Sequence, residues 1–327
     1  MSETAHMNDA ETRIATFPAT GPEQVPLHLT PDMSLKATIG AFVKYMRYEG
    51  FSQYTVQAFT SDLNLLGRYL GIGQPIGQVT TKNLNDFLNW LQRERGVPCS
   101  PKTYARRVTT LKVFFKWLHK GGILVSDPGA PVIHYSVRSP LPEVLTEDQV
   151  NRLLAAGQQV KAGAGGRKGD ARPLLLLSLI LDTGIKKGEA MGINLNHIDR
   201  SDSERPALFV RYRSPAKRYK ERVIPLDPTW LSLLDEYLGQ YNPQETLFTC
   251  TPRNLEYILR DLEELAEVAK PVSFENLRWT SSVHSFIKGA NTDELREKLG
   301  LSEITWRETL SKIERLAQGL SPRQPNG

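Results

Sequence analysis

Residues 100–122 read SPKTYARRVTTLKVFFKWLHKGG, and the fold of the first half of the chain turns on this stretch. Ser100 followed by Pro101 is a favoured helix start, a serine N-cap with proline at the first helical position. Val108, Leu111, Phe115 and Leu118 then recur at helical spacing, and Gly121–Gly122 closes the helix. Lys102, Arg106, Lys112, Lys116 and Lys120 fall off that stripe, together with Thr103, Arg107 and Thr110. A helix with one apolar stripe and cations and hydroxyls opposite suits a major groove, its cations on phosphates and its Thr and Arg side chains on base edges. Many solvated helices share that pattern, so periodicity alone leaves both readings open.

Upstream, the same period repeats. SLKATIGAFVKYMRYEG (34–50) puts Leu35, Ile39, Phe42, Val43 and Met46 on one face, and Gly50 stops the run. SQYTVQAFTSDLNLLGRYLG (52–71) does so with Val56, Phe59, Leu63, Leu66 and Leu70, and a third helix opens after Thr80 and ends at Gly96. Four such helices predict a compact bundle over 33–122. Residues 1–32 are polar and acidic without regular period and read as a disordered tail. Charge follows the same division. Residues 33–125 carry thirteen basic and four acidic side chains, a net of +9, whereas 126–327 balance at 27 of each. Positive charge gathered in one module is the footprint of a polyanion-binding surface, or else of a solvated basic face.

Downstream, 123–145 hold four prolines and read as a linker. Thr146 then caps a helix, and ARPLLLLSLILDTG (171–184) is apolar nearly all round, the mark of a buried helix. ALFVRYRS (207–214) and ERVIPL (221–226) alternate in hydropathy around the basic turn PAKRYK, which predicts a β-hairpin. Residues from about 228 to 320 are again mostly helical, which sets a second domain at 146–320 and a short disordered tail at 321–327. Cys99 and Cys250 stand alone and the six histidines are scattered, which disfavours a disulfide framework and a metal site. The start MSETAHMNDAETR shows no secretory pattern, and no uncharged apolar run reaches spanning length. A cytoplasmic, nucleoid-associated protein is expected.

Taken together, the helical module, the Pro-rich linker and the mostly helical second domain resemble the tyrosine recombinase family of phage-integrase and Xer type. The segment S-P-K-T-Y-A-R-R-V-T-T-L-K-V-F-F-K-W-L, followed by Asp127-Pro128, is similar to the end of that family's core-binding domain. The resemblance covers roughly 33–315. It implies a mainly α fold: a four-helix, SAM-like core-binding domain, then a catalytic-type domain with a small β-sheet, clamping duplex DNA between them.

In that family a tyrosine attacks a phosphodiester and is left as a 3′-phosphotyrosine. Two arginines hold the phosphoryl oxygens, a hairpin lysine protonates the leaving 5′ oxygen, and histidines assist. The family box T-G-L-R-I-S-E resembles T-G-I-K-K-G-E at Thr183–Glu189, which puts Lys186 at the first arginine position and keeps Glu189. A lysine there retains the charge and loses the bidentate fork. Counting back from K-E-R-V-I-P-L at 220–226, Lys217 matches the hairpin lysine, with Lys220 a weaker candidate. H-x-L-R-H resembles Glu275-Asn276-Leu277-Arg278-Trp279, which gives Arg278 the second arginine position. L-G-H resembles Leu299-Gly300-Leu301, and nine residues on, where the nucleophile belongs, stands Leu310. No tyrosine follows Tyr257.

These positions predict a duplex-DNA-binding relative of the recombinases that is not itself an enzyme, with an accessory, regulatory or site-occupying role and no cofactor. The expected DNA contacts are Lys102, Thr103, Arg106, Arg107, Thr110, Lys112, Lys186, Arg213, Lys217, Arg218 and Arg278, with Arg211 alongside. Two other readings stay open: a recombinase subunit whose nucleophile comes from a different subunit, and a protein-interaction scaffold. The amphipathic stretch Glu308–Leu320 is a candidate for docking on a second copy or on an active recombinase.

Overall fold

A computed structural model describes residues 29–97, 99–133, 140–163 and 168–320. The expected tail at 321–327 and all but the last four residues of that at 1–32 lie outside them. The chain divides into two compact units at Pro140/Leu141.

In the first unit, helices α1 (Leu35–Tyr48), α2 (Gln53–Leu70), α3 (Thr81–Arg93) and α4 (Pro101–Lys120) form the expected bundle. Ser34, Ser52, Thr80 and Ser100 each cap one of them by accepting a backbone N–H. The predicted stripes meet in one core of Phe42, Leu63, Leu66, Leu84, Val108, Leu111, Phe115 and Leu118. The unit begins earlier than the acidic composition suggests: the carbonyls of Pro31 and Met33 accept from Gly77 and Ile76 at 2.8 and 2.9 Å. It also extends into the expected linker, because Leu124 and Val132 are buried in the same core and Thr81 Oγ1 donates to the Pro128 carbonyl at 2.9 Å. Prolines mark an irregular path here, not an unattached one.

The second unit is built around α6 (Arg172–Thr183). Its apolar circumference is explained by packing against α5 (Glu147–Ala162), α8 (Thr229–Tyr241), α9 (Pro252–Leu265) and α10 (Phe274–Ile287). A short α7 (Lys187–Ala190) follows α6. The hairpin has a third strand that the sequence reading did not contain: β1 (Ile198–Asp199), β2 (Ala207–Val210) and β3 (Arg222–Pro225) form an antiparallel sheet in that order. The basic turn Pro215–Lys220 is a 3₁₀ helix. Val210 pairs with Arg222, and β3 lies against α11 (Thr292–Leu299). The last helix, α12 (Glu303–Leu320), packs on α10 through Trp306, Ile313 and Ala317.

Candidate phosphate-binding site

Two turns bring the second unit's charged residues together. Gly184 ends α6 at φ +60°, and Gly300 ends α11 at φ +60°, the left-handed region that side chains with a Cβ avoid. Both turns are also tight. A Cβ on Gly184 would lie 2.9 Å from Leu299 Cδ2, and one on Gly300 would lie 2.8 Å from Arg222 Nη1. The glycines of the T-G and L-G motifs therefore let the two helix ends approach Arg222 and Arg278.

Arg278, on the first turns of α10, donates Nη1 to the Gly184 carbonyl and Nη2 to the Leu299 carbonyl at 2.7 Å. Burial depresses its guanidinium to about 10. Arg222 forms a fork on Glu189, Nη2 to Oε2 at 3.0 Å and Nη1 to Oε1 at 3.2 Å, and its Nε donates to the Lys298 carbonyl at 2.7 Å. Tyr212 donates its hydroxyl to Glu189 Oε1, and the Lys186 amide donates to Oε2 at 2.9 Å. Burial alone would raise the Glu189 carboxyl, but the Arg222 fork, the Lys186 amide and the Tyr212 hydroxyl hold it at about 2. Burial and the bonded carboxylate push the Tyr212 phenol well above its ordinary value.

Lys186 stands at the mouth of this network, its side chain 39 % exposed and its Nζ 3.8 Å from Glu189 Oε1. Burial, then the charges of Arg278, Lys220 and Arg222, bring its ammonium down to about 8 against the pull of Glu189. Lys217 is exposed on the 3₁₀ turn, whereas Lys220 is half-buried there and close enough to act on Lys186. Arg211, Arg213 and Arg218 are exposed. Glu275 is exposed on the first turn of α10. Trp279, Leu301 and Leu310 pack half-buried against the apolar cluster of Val283, Leu295, Leu299 and Trp306. The amphipathic stretch expected to dock on a partner packs in the same cluster of its own unit.

Beside the site, on the other side of α6's end, lies a cavity of about 820 Å³ lined by Asp182, Asp227, Ser281, His284 and Lys298 among others. Burial, then the Asp227 charge, raises the Asp182 carboxyl to about 6.

In the first unit the α4 face departs from expectation. Thr110 is fully buried and donates Oγ1 to Asp62 Oδ2 at 3.0 Å, so it cannot reach a base edge. Arg106 reaches the same carboxylate at 2.7 Å and the Ala58 carbonyl at 3.1 Å, while Arg107, 11 % exposed, lies 3.4 Å from Asp62 and 3.0 Å from Cys99 Sγ. Thr103 serves in the helix cap with Ser100. Asp62, a buried acid on α2, collects these side chains inward. Lys102 and Lys116 are exposed and Lys112 half-buried, while Arg106, its side chain 37 % exposed, and the more buried Arg107 are turned towards Asp62. Arg222, Tyr212 and Asp62 were not singled out from the sequence. The K-E-R run contains Arg222, but 33 residues separate it from Glu189, and no local pattern pairs them.

Among the described residues, no helix is long and apolar enough to cross a membrane, and no cluster of His, Cys, Asp and Glu could hold a metal ion.

Comparison with known proteins gives the family. Residues 39–122 match the phage integrase N-terminal SAM-like domain, and residues 143–307 match the phage integrase family itself. A tyrosine recombinase of Thermosipho africanus is 25 % identical over 78 % of this chain and 87 % of its own. The tyrosine recombinase XerD of Listeria innocua is 24 % identical over 85 % of this chain and 94 % of its own. Among solved structures, a lambda integrase dimer bound to a COC′ core site superposes with a TM-score of 0.68 at 16 % identity, covering 97 % of this chain and 87 % of that one. XerH bound to a palindromic difH substrate gives 0.64 at 17 % identity, over 90 % and 97 %. The fold is thus the integrase fold. The expectation that the chain is not an enzyme is overturned by the same relatives, which are named tyrosine recombinases, that is, enzymes, and match over most of its length. The chain belongs to the phage integrase family, the tyrosine recombinases.

Proposed function

We propose that this protein binds duplex DNA and works as one subunit of a DNA recombinase whose attacking tyrosine comes from a different chain. The second half is supported by Leu310, which the resemblance puts at the nucleophile's position and which packs against an apolar cluster, and by the absence of any tyrosine after Tyr257 in the sequence. An identical copy cannot donate what this chain does not have, so the partner is an unlike subunit. The DNA half is supported by the +9 charge of 33–125, by the cations at the Lys186 site, and by relatives solved in complex with DNA sites. Acting on the chromosome would place the protein with the nucleoid.

The test has two stages. Genomic DNA retained by the purified protein is sequenced, and a duplex carrying the enriched segment is given a trapping nick. It is then incubated with this protein, with an intact recombinase encoded nearby, and with both. Covalent phosphotyrosine adducts that require both chains support the reading. Adducts formed by this chain alone overturn the unlike-subunit half, and retention of no DNA in a salt-sensitive manner overturns the DNA half.

A further inference from the structure

A groove of about 380 Å³ runs between α1 and α2, lined by Val43, Arg47, Val56, Gln57, Asn64 and Arg68 among others. Arg47, Gln57, Asn64 and Arg68 are exposed along it. Elsewhere in this unit Arg106 and Arg107 reach Asp62, and Lys82 reaches Asp86 at 2.7 Å. No described carboxylate lies within ion-pair distance of Arg47 or Arg68. Val43 and Val56 add apolar surface, and at the turn joining the two helices Tyr48 and Tyr54 stand 77 % and 80 % exposed. Two unpaired cations beside apolar surface complement an extended acidic segment that carries apolar side chains.

The chain itself supplies such a segment. Residues 1–28 contain Glu3, Asp9, Glu11 and Glu23 against Arg13, opposite in sign to the +9 of 33–125. Where they join the fold is fixed. The Gly77 amide donates to the Pro31 carbonyl at 2.8 Å, the Leu35 amide to the Gln74 carbonyl at 2.8 Å, and the Lys36 amide to the Ile72 carbonyl at 3.0 Å. A Cβ on Gly67 would lie 3.7 Å from Leu35 Cδ2. The chain therefore enters beside the last turn of α2, at the Arg68 end of the groove. Val56 and Arg68 are about 18 Å apart along α2 at 1.5 Å per residue. The stretch from Glu23 to Leu29 spans about 20 Å when extended, so it can follow the groove for its whole length. Val25 and Leu27 fall within that stretch.

We infer that Glu23–Leu27 docks in the α1–α2 groove of its own chain, with Glu23 against the groove's arginines and Val25 and Leu27 against Val43 and Val56. A docked carboxylate neutralises cations that would otherwise meet a polyanion, so the segment and duplex DNA exclude each other. That competition rests on the DNA-binding half of the proposed function; the docking does not. Exposed ion pairs are individually weak, so each shifts the docked fraction by about two- to fivefold.

The docking is read by photolysis of the full-length protein carrying Gln24→p-benzoylphenylalanine. An intramolecular crosslink, at the mass of one chain, should form to peptides of α1 or α2. Glu23→Gln, and the Arg47→Gln, Arg68→Gln double variant, should each lower its yield by about two- to fivefold, as should salt raised to about 0.5 M. Circular dichroism should show these surface variants folded. Crosslinks at twice that mass, which would give the groove to a second copy, overturn the docking. So do crosslinks outside α1 and α2, or a yield that neither variant changes. A mixed-sequence duplex should suppress the crosslink, and deletion of residues 1–28 should tighten duplex binding by about two- to fivefold at low salt, a gain that disappears near 0.5 M. A duplex that binds and leaves the crosslink intact, or a deletion that leaves affinity unchanged, overturns the competition. Absence of salt-sensitive duplex binding by both chains overturns the DNA-binding reading itself, and the crosslink still decides the docking.

Discussion

Replacing Arg222 with methionine tests how the site is held together. The side chains of Arg222 and Glu189 are 8 % and 2 % exposed, so the pair is dry on both sides. Removing one partner of a buried pair leaves the other uncompensated, typically at about 3–5 kcal/mol. Two charge-assisted bonds to Glu189 would go, each worth about 1.5–3 kcal/mol, together with the bond to the Lys298 carbonyl. Tyr212 and the Lys186 amide remain on the carboxylate, which argues for the lower half of that range. At about 3–4 kcal/mol the second unit's melting transition should fall by roughly 6–16 °C. The pH profile should change too. The Glu189 carboxyl lies at about 2 in the folded protein, below its unfolded value, so its contribution to stability is complete above about pH 5 and is lost as pH falls towards 2. Arg222→Met should blunt that acid limb, because burial then works against the charge. The Glu189→Gln, Arg222→Met double variant removes both charges and should recover much of the loss, since a pair replaced whole costs far less than one broken. Calorimetry on the full chain reads all of this. A loss below about 1 kcal/mol, or a double variant as unstable as the sum of the singles, would refute the view that the pair is a closed, dry unit.

Three further outcomes follow from the same geometry. Asp62→Ala strips the carboxylate that gathers Arg106, Arg107 and Thr110, and should destabilise the first unit by about 3 kcal/mol in urea titrations; an unchanged midpoint would show these contacts to be idle. Asp182 has a folded value of about 6, above its unfolded one, so its contribution falls as pH rises from about 4 through 6; Asp182→Asn should flatten that stretch of the stability profile and add about 2 kcal/mol at neutral pH. Gly300→Ala forces an L residue to φ +60° and sets its Cβ 2.8 Å from Arg222 Nη1, so it should cost more than the roughly 1–2 kcal/mol of the backbone alone, and the excess should vanish in an Arg222→Met background.

The architecture was legible where periodicity and caps spoke together. Ser34, Ser52, Thr80, Ser100 and Thr146 each stand where a helix begins, and the apolar circumference of α6 announced a helix surrounded by others. What escaped were features without local period. β1 is two residues long, and the core of the first unit reaches past its last helix to Val132, where the four prolines of 123–145 suggested a linker. The site divides in the same way. Lys186, Glu189 and Arg278 were found because motifs carry them, whereas Arg222, Tyr212 and Asp62 act through partners 23 to 48 residues away in sequence. A helix wheel shows which residues leave the apolar stripe but not where they go. Thr110 left the predicted stripe and still ended fully buried, because a single aspartate on α2 drew it inward.

That last point bears on how the lysine at 186 should be read. Judged from the motif, exchanging arginine for lysine removes a fork and looks like simple loss. In the folded unit two arginines remain, yet both close the structure: one joins the ends of α6 and α11, the other neutralises Glu189. Lys186 stands beside them partly exposed, its Nζ 3.8 Å from Glu189 Oε1, where a lysine can meet an anion as a point charge. A lysine at 186 carries a charge that depends on its surroundings, which bring its ammonium down to about 8. If Lys186→Arg binds duplex DNA no more tightly than wild type at pH 7 and clearly more tightly near pH 9, the difference between the residues is proton linkage and not lost grip; a Lys186→Arg variant tighter by the same factor at both would assign the difference to the fork instead.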